Sequence, residues 1–178
     1  MTSVADIKED LPDWPDDVIE DWLHYFANEP DCKWPPPDPL GDHRWAGILG
    51  DRPLSWWKDV TWEKEMVKCD SGSLAPKSRT IAAKMVTEIG RGTADAVTKR
   101  RYQQALQYIL NNGVFFKPVV AMKTPGGLLV LDGNHRMGAF CGLQILPDGW
   151  FAKLNKKRAS LDQEAWVGTH SRGETPLS

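Results

Sequence analysis

Val119-Val120-Ala121-Met122, a break at Lys123-Thr124-Pro125-Gly126-Gly127, then Leu128-Leu129-Val130-Leu131 and Asp132-Gly133-Asn134-His135-Arg136 follow one another between Pro118 and Leu143. Two short apolar runs separated by a glycine-containing break predict two strands joined by a turn. After Arg136 the period changes. Met137, Phe140, Cys141 and Gln144 lie three and four apart, which predicts a short helix with one buried face. The pentad from Asp132 to Arg136 is thereby placed between a strand and a helix.

That position has chemical meaning. The first turn of a helix leaves backbone N–H groups without intrahelical partners and carries a positive partial charge, so an anion such as phosphate docks there. Gly133 lets the backbone turn and approach closely, Asn134 tolerates a left-handed conformation and offers an amide, and His135 and Arg136 donate to phosphate oxygens. Asp132 either caps the helix or holds a metal. The alternative is an ordinary Asp-Gly turn with Arg136 solvated and His135 packed. A hairpin would be followed by strict alternation, and none follows.

The helix ending in Asn112-Gly113, then Lys117-Pro118-Val119-Val120, a further strand and Asp132-Gly133-Asn134-His135-Arg136 together resemble the core of the ParB/sulfiredoxin superfamily, over roughly residues 63–170. The resemblance implies an α/β (α+β) fold with a small mixed sheet and helices. It also implies that Gly133, Asn134, His135 and Arg136 contact the phosphates of ATP or another nucleotide. Arg101 and Gln104 align with nucleotide contacts on the preceding helix. Sulfiredoxins carry their catalytic cysteine where this chain has Asn134, which argues against sulfinic acid repair. Superfamily members include nucleases, plasmid fertility inhibitors and free-serine kinases. The leading expectation is an ATPase, with a metal-dependent DNase as its extension: Mg2+ neutralises phosphate charge, Asp132 is the candidate metal ligand, and Asp132, Glu65 and His135 are the candidate catalytic residues. A small-molecule kinase is a further reading.

Composition bounds these readings. A chain of 178 residues, 41% hydrophobic and 26% charged, can bury one core with an added lobe. It has no run of 18 apolar residues and no basic-then-apolar leader at its start, so a cytoplasmic protein without membrane insertion is expected. Cys32, Cys69 and Cys141 are scattered and suggest neither a disulfide frame nor a zinc site. The net charge of −2 hides a division: residues 1–62 hold 14 acidic and 5 basic side chains, and the remainder 10 and 17. A positive second part attracts phosphates or DNA. Arg100, Arg101, Lys153, Lys156, Lys157 and Arg158 are the candidate DNA contacts, and a solvated helix face is the competing reading for Arg100 and Arg101.

Taken in order, residues 1–62 form an acidic Trp- and Pro-rich extension, residues 63–170 the core and residues 171–178 a polar tail. The first dozen residues look frayed. A helix should begin at Pro15, with Val18, Ile19, Trp22, Leu23 and Phe26 inward. Trp34-Pro35-Pro36-Pro37 should be extended. Seven of nine Trp residues fall at or before position 62. Their rings must be buried in a core or in a contact with a protein partner or a second copy, and base stacking is the sharper alternative. On the partner reading the chain is a non-enzymatic interaction module or a plasmid-transfer inhibitor. A strand should start near Glu63. Helices should follow from Pro76 to Gly90, and from about Thr93 with Val97, Ala105, Leu106, Ile109 and Leu110 inward. Ala165-Trp166-Val167-Gly168 should close the sheet.

Overall fold

The structure, a computed structural model, describes residues 1–177. It is a mixed α/β fold with a four-stranded mixed sheet of order β1-β4-β2-β3, from β1 (Val60–Lys68), β2 (Val119–Thr124), β3 (Gly127–Asp132) and β4 (Asp162–His170). Two compact units form: Lys64–Ala165, and Met1–Glu63 together with the segment from Trp166 onward.

In the Lys64–Ala165 unit, β2 and β3 pair antiparallel across Pro125-Gly126, with Thr124 opposite Gly127 and Val120 opposite Asp132. Val119 to Met122 and Leu128 to Val130 are all buried, without alternation, as strands covered on both faces require. Gly127 has φ +118°, and a Cβ there would lie 2.6 Å from the Ser73 carbonyl oxygen. That close approach brings the chain leading into α6 (Pro76–Arg91) onto β3, where the Ala75 amide donates to the Leu128 carbonyl at 2.9 Å.

Pro76 opens α6 as expected. The helix runs past Gly90 and ends at Gly92, which takes the left-handed conformation that a C-terminal cap needs. Asp95 caps the next helix, α7 (Ala96–Asn112), by accepting from the Val97 and Thr98 amides, and Gly113 at φ +74° ends it. Tyr102, Ala105 and Ile109 form its buried stripe, whereas Val97, expected inward, is exposed.

Both helices pack on α8 (Asn134–Gln144). Met137, Phe140 and Cys141 are buried as their spacing predicts, but so is every residue from Arg136 to Leu143. Between Arg136 and Leu143 the helix has no solvent face, because glycines let its neighbours close in. A Cβ on Gly138 would meet the Met85 sulfur at 2.6 Å, and one on Gly142 would meet the Tyr102 hydroxyl oxygen at 2.0 Å. Arg158 then closes the C-terminal end of α8, donating to the carbonyls of Leu143, Gln144 and Leu146 and to the carboxylate of Asp148 on α9 (Asp148–Lys153).

The other unit begins with a helix where fraying was expected. Ser3 and Asp6 cap α1 (Val4–Asp10) reciprocally, and Ile7 and Leu11 are fully buried. A helical stretch follows Pro15 as predicted, but its middle turn, Ile19–Leu23, is π-helical between α2 (Asp16–Val18) and α3 (His24–Ala27). It directs Val18, Ile19, Trp22 and Leu23 into the core. The short helices α4 (Arg44–Ile48) and α5 (Leu54–Trp57) bring in Trp45, Trp56 and Trp57.

The indole rings of Trp14, Trp22, Trp57 and Trp62 contact one another at centroid distances from 5.0 to 6.2 Å, mostly edge to face. Six of the seven early tryptophans are buried and Trp34 is half-buried, so their rings make the core of this unit rather than a surface for bases. The last residues, expected as a polar tail, are tied to the same core. The Trp56 indole donates to Glu174 at 2.7 Å, and Arg52 donates to the Thr175 carbonyl. Among the described residues no helix is long and apolar enough to cross a membrane.

The buried start of the chain has a measurable consequence. Ile7→Ala should lower unfolding free energy by roughly 2–5 kcal/mol, and Ser3→Ala by about 1 kcal/mol, in urea denaturation. A frayed segment would give no change in either variant.

Candidate functional site

The pentad lies where its sequence places it. Asp132 ends β3, Gly133 turns the chain at φ +96°, and α8 begins at Asn134. A Cβ on Gly133 would stand 2.7 Å from the Val119 side chain and 3.0 Å from the Arg136 guanidinium, so the turn requires glycine. Gly133 occupies the cap position and supplies no capping side chain to the first-turn amides.

Arg136 is buried and its guanidinium is engaged by the protein. Nη1 donates to the Lys117 carbonyl at 2.8 Å and to the Pro118 carbonyl at 3.1 Å, and Nη2 donates to Asp132 Oδ2 at 2.8 Å. Its carbon centre lies 5.3 Å from the Phe116 ring centroid. The residue therefore latches the segment leading into β2 to the start of α8. Asp132, expected as metal ligand or base, spends one oxygen on this ion pair.

His135 is half-buried beside it, and its pKa is held below the ordinary value. Burial is the main cause, the Arg101 cation adds to it, Asp95 opposes it, and Arg136 contributes in the same direction as Arg101. The imidazole is thus neutral at pH 7. Asp95 belongs to the cap of α7, where Thr98 holds its carboxyl below the usual range. Asn134 is half-buried beside His135, and Gln104 is exposed on α7 with Arg101.

The remaining candidates lie elsewhere in this unit. Glu65 on β1 pairs with Lys123 Nζ at 2.6 Å. Lys123 stands opposite Leu128, while Asp132 stands opposite Val120, three residues along β2 and roughly 10 Å away. The two carboxylates are not brought together. Among the described residues no three His, Cys, Asp or Glu side chains converge as a metal site. Asp132 and its surroundings thus do not fit an ion held by protein ligands alone.

The basic residues fall at two ends of α8 rather than in one stripe. Arg100 and Arg101 are exposed on α7, the latter within electrostatic reach of His135. Arg158 sits at the opposite terminus of α8, about 12 Å along the axis, with Lys153 and Lys157 exposed and Lys156 half-buried nearby in sequence. Sequence reasoning passed over Asp95 and Phe116, which the fold brings to the pentad. The signal available was Phe115-Phe116-Lys117-Pro118 directly ahead of the strand.

Compared with protein-family models, curated proteins and solved structures, the chain finds no match. Its function is therefore argued from its own residues and their geometry.

Two measurements test this geometry. Arg136→Ala should cost about 3 kcal/mol of stability in denaturant unfolding, because it leaves Asp132 and two backbone carbonyls without their buried cation. A loss under about 0.5 kcal/mol, the range of an ordinary surface substitution, would show that the latch is not needed. The second concerns pH. Because the folded state holds His135 neutral, the unfolded chain takes up a proton first as pH falls below about 6.5, so stability declines there until the folded-state pKa is passed. His135→Gln should be flatter than the parent between pH 7 and 5.

Proposed function

We propose that the Asp132–Arg136 turn binds the phosphates of a nucleotide such as ATP, in a core of the ParB/sulfiredoxin type. The observation that carries this reading is the start of α8: a glycine-capped helix terminus with a neutral histidine in its first turn and the Arg101 cation close by. The order of elements supports it as well: the helix that ends at Asn112, the Pro118-led β2, β3, the turn and α8 succeed one another in the order on which the resemblance rests.

In this reading Gly133, Asn134 and His135 present backbone amides to the phosphates, the His135 ring and Arg101 add side-chain donors, and Gln104 lies further along α7. Arg136 positions the turn and supplies charge from beneath it. Hydrolysis is the accompanying enzymatic step. A neutral imidazole accepts a proton at pH 7, which suits His135 to orient and deprotonate an attacking water. Mg2+ would arrive on the nucleotide, since it is commonly held by substrate phosphates with few protein ligands. The second reading, DNA phosphate binding with cleavage, is favoured by the exposure of Arg100, Arg101, Lys153 and Lys157. A steep loss of DNA affinity with added salt distinguishes it.

Calorimetry with ATP, with and without magnesium, tests the first reading. His135→Ala and Arg101→Ala should each weaken binding about tenfold, roughly the worth of one charge-assisted hydrogen bond. An intact chain that takes up no ATP overturns it.

A further inference from the structure

Phe115 and Phe116 are consecutive in the bent segment that leads into β2, and one ring faces in and the other out. Phe115 is buried and meets Phe140 edge to face at 5.7 Å. Phe116 is 50% exposed, and Tyr108 on α7, 40% exposed, meets it edge to face at 5.9 Å. Of this solvent-exposed pair, Tyr108 is held by α7 and Phe116 lies on the segment that follows it. That segment is fixed at both ends.

On one side, the buried side chain of Gln163 accepts from the Phe115 amide at 3.1 Å and donates to the Gly113 carbonyl at 3.0 Å. On the other, Arg136 holds the Lys117 and Pro118 carbonyls. The backbone that carries Phe116 is therefore ordered before any ligand arrives, which lowers the entropy lost on binding. The ring also adjoins the pentad. The guanidinium that lies 5.3 Å from the Phe116 centroid bonds Asp132 and would be 3.0 Å from a Cβ on Gly133.

We infer that Phe116, flanked by Tyr108, is the platform on which the base of a purine nucleotide stacks when its phosphates occupy the start of α8. The inference rests on the nucleotide reading of the Asp132–Arg136 turn and adds a second contact to it. An aromatic side chain accepts the π-face of any base, and a purine offers the larger one. The Arg136 guanidinium lies over one face of the Phe116 ring, so the base stacks on the opposite face. Such a platform recognises that a base is present without reading which purine it is, because no base-edge donor or acceptor is required.

Titration calorimetry with ATP and with inorganic tripolyphosphate separates the two contacts. The intact chain should bind ATP about tenfold more tightly than tripolyphosphate, the contribution expected of one stacked base. Phe116→Ala should lose that margin while leaving tripolyphosphate affinity unchanged, and Phe116→Trp, which keeps a larger ring, should retain it. If Phe116→Ala binds ATP like the parent, or weakens ATP and tripolyphosphate equally, the platform is overturned while the phosphate site stands. If the intact chain binds neither ligand, the phosphate reading and the platform fall together.

Discussion

One buried guanidinium constrains most of the Lys64–Ala165 unit. Arg136 is charged at any accessible pH, and a charge removed from water must be met by fixed acceptors. It finds them in the carbonyls of Lys117 and Pro118 and in the Asp132 carboxylate. Those acceptors belong to the entry of β2 and the exit of β3, so satisfying one side chain sets how both strands meet α8. Glycine at position 133 is a consequence of the same arrangement, since the guanidinium occupies the space that a Cβ would need.

This use of Arg136 changes the division of labour at the turn. A guanidinium already holding backbone carbonyls is poor at following a mobile phosphate, yet its charge is felt nearby and helps keep the His135 ring neutral. The exposed cation is Arg101, on α7. Its placement depends on how closely α7 can approach α8, and there the small residues decide. With Gly142 under the Tyr102 hydroxyl and Gly138 under Met85, the helices close to distances that any larger side chain would prevent.

The strand, turn and helix from Val119 to Gln144 were legible because the apolar period changes from a run to a three-four spacing at the pentad itself. The end of α7 was legible because Asn112-Gly113 follows a run with helical spacing, where a glycine ends the helix in the left-handed conformation. The burial of α8 on every side was not, since Gly138 and Gly142 register as neither apolar nor polar in a pattern and matter only through what presses against them. The capped helix α1 was hidden by its acidic composition: the signal was Ser3 with Asp6 three residues on, and its core contribution comes from Ile7 and Leu11. The anchoring of the last residues rests on the Thr175 carbonyl and the Glu174 carboxylate, and a carbonyl acceptor is present at every position of a chain. For the same reason Arg136 read as a phosphate donor from sequence, and only its geometry assigns it to the backbone.

The two kinds of contact at the turn differ in what they demand of the chain. Backbone amides at a helix start are oriented by the helix and need no side-chain ordering when an anion arrives, whereas Arg101 reaches them through a long side chain. Phe116 resembles the amides more than the arginine, because Gln163 and Arg136 fix the backbone on either side of it and its ring has only two torsions to settle. The contacts with ordered backbone thus lie on the Arg136 latch, and Arg101 lies outside it. On the proposed nucleotide reading, a latch that orders both the glycine turn and the aromatic loop holds a phosphate and a planar ring in a fixed relation. That fixed relation favours one ligand carrying both groups over two ligands carrying one each.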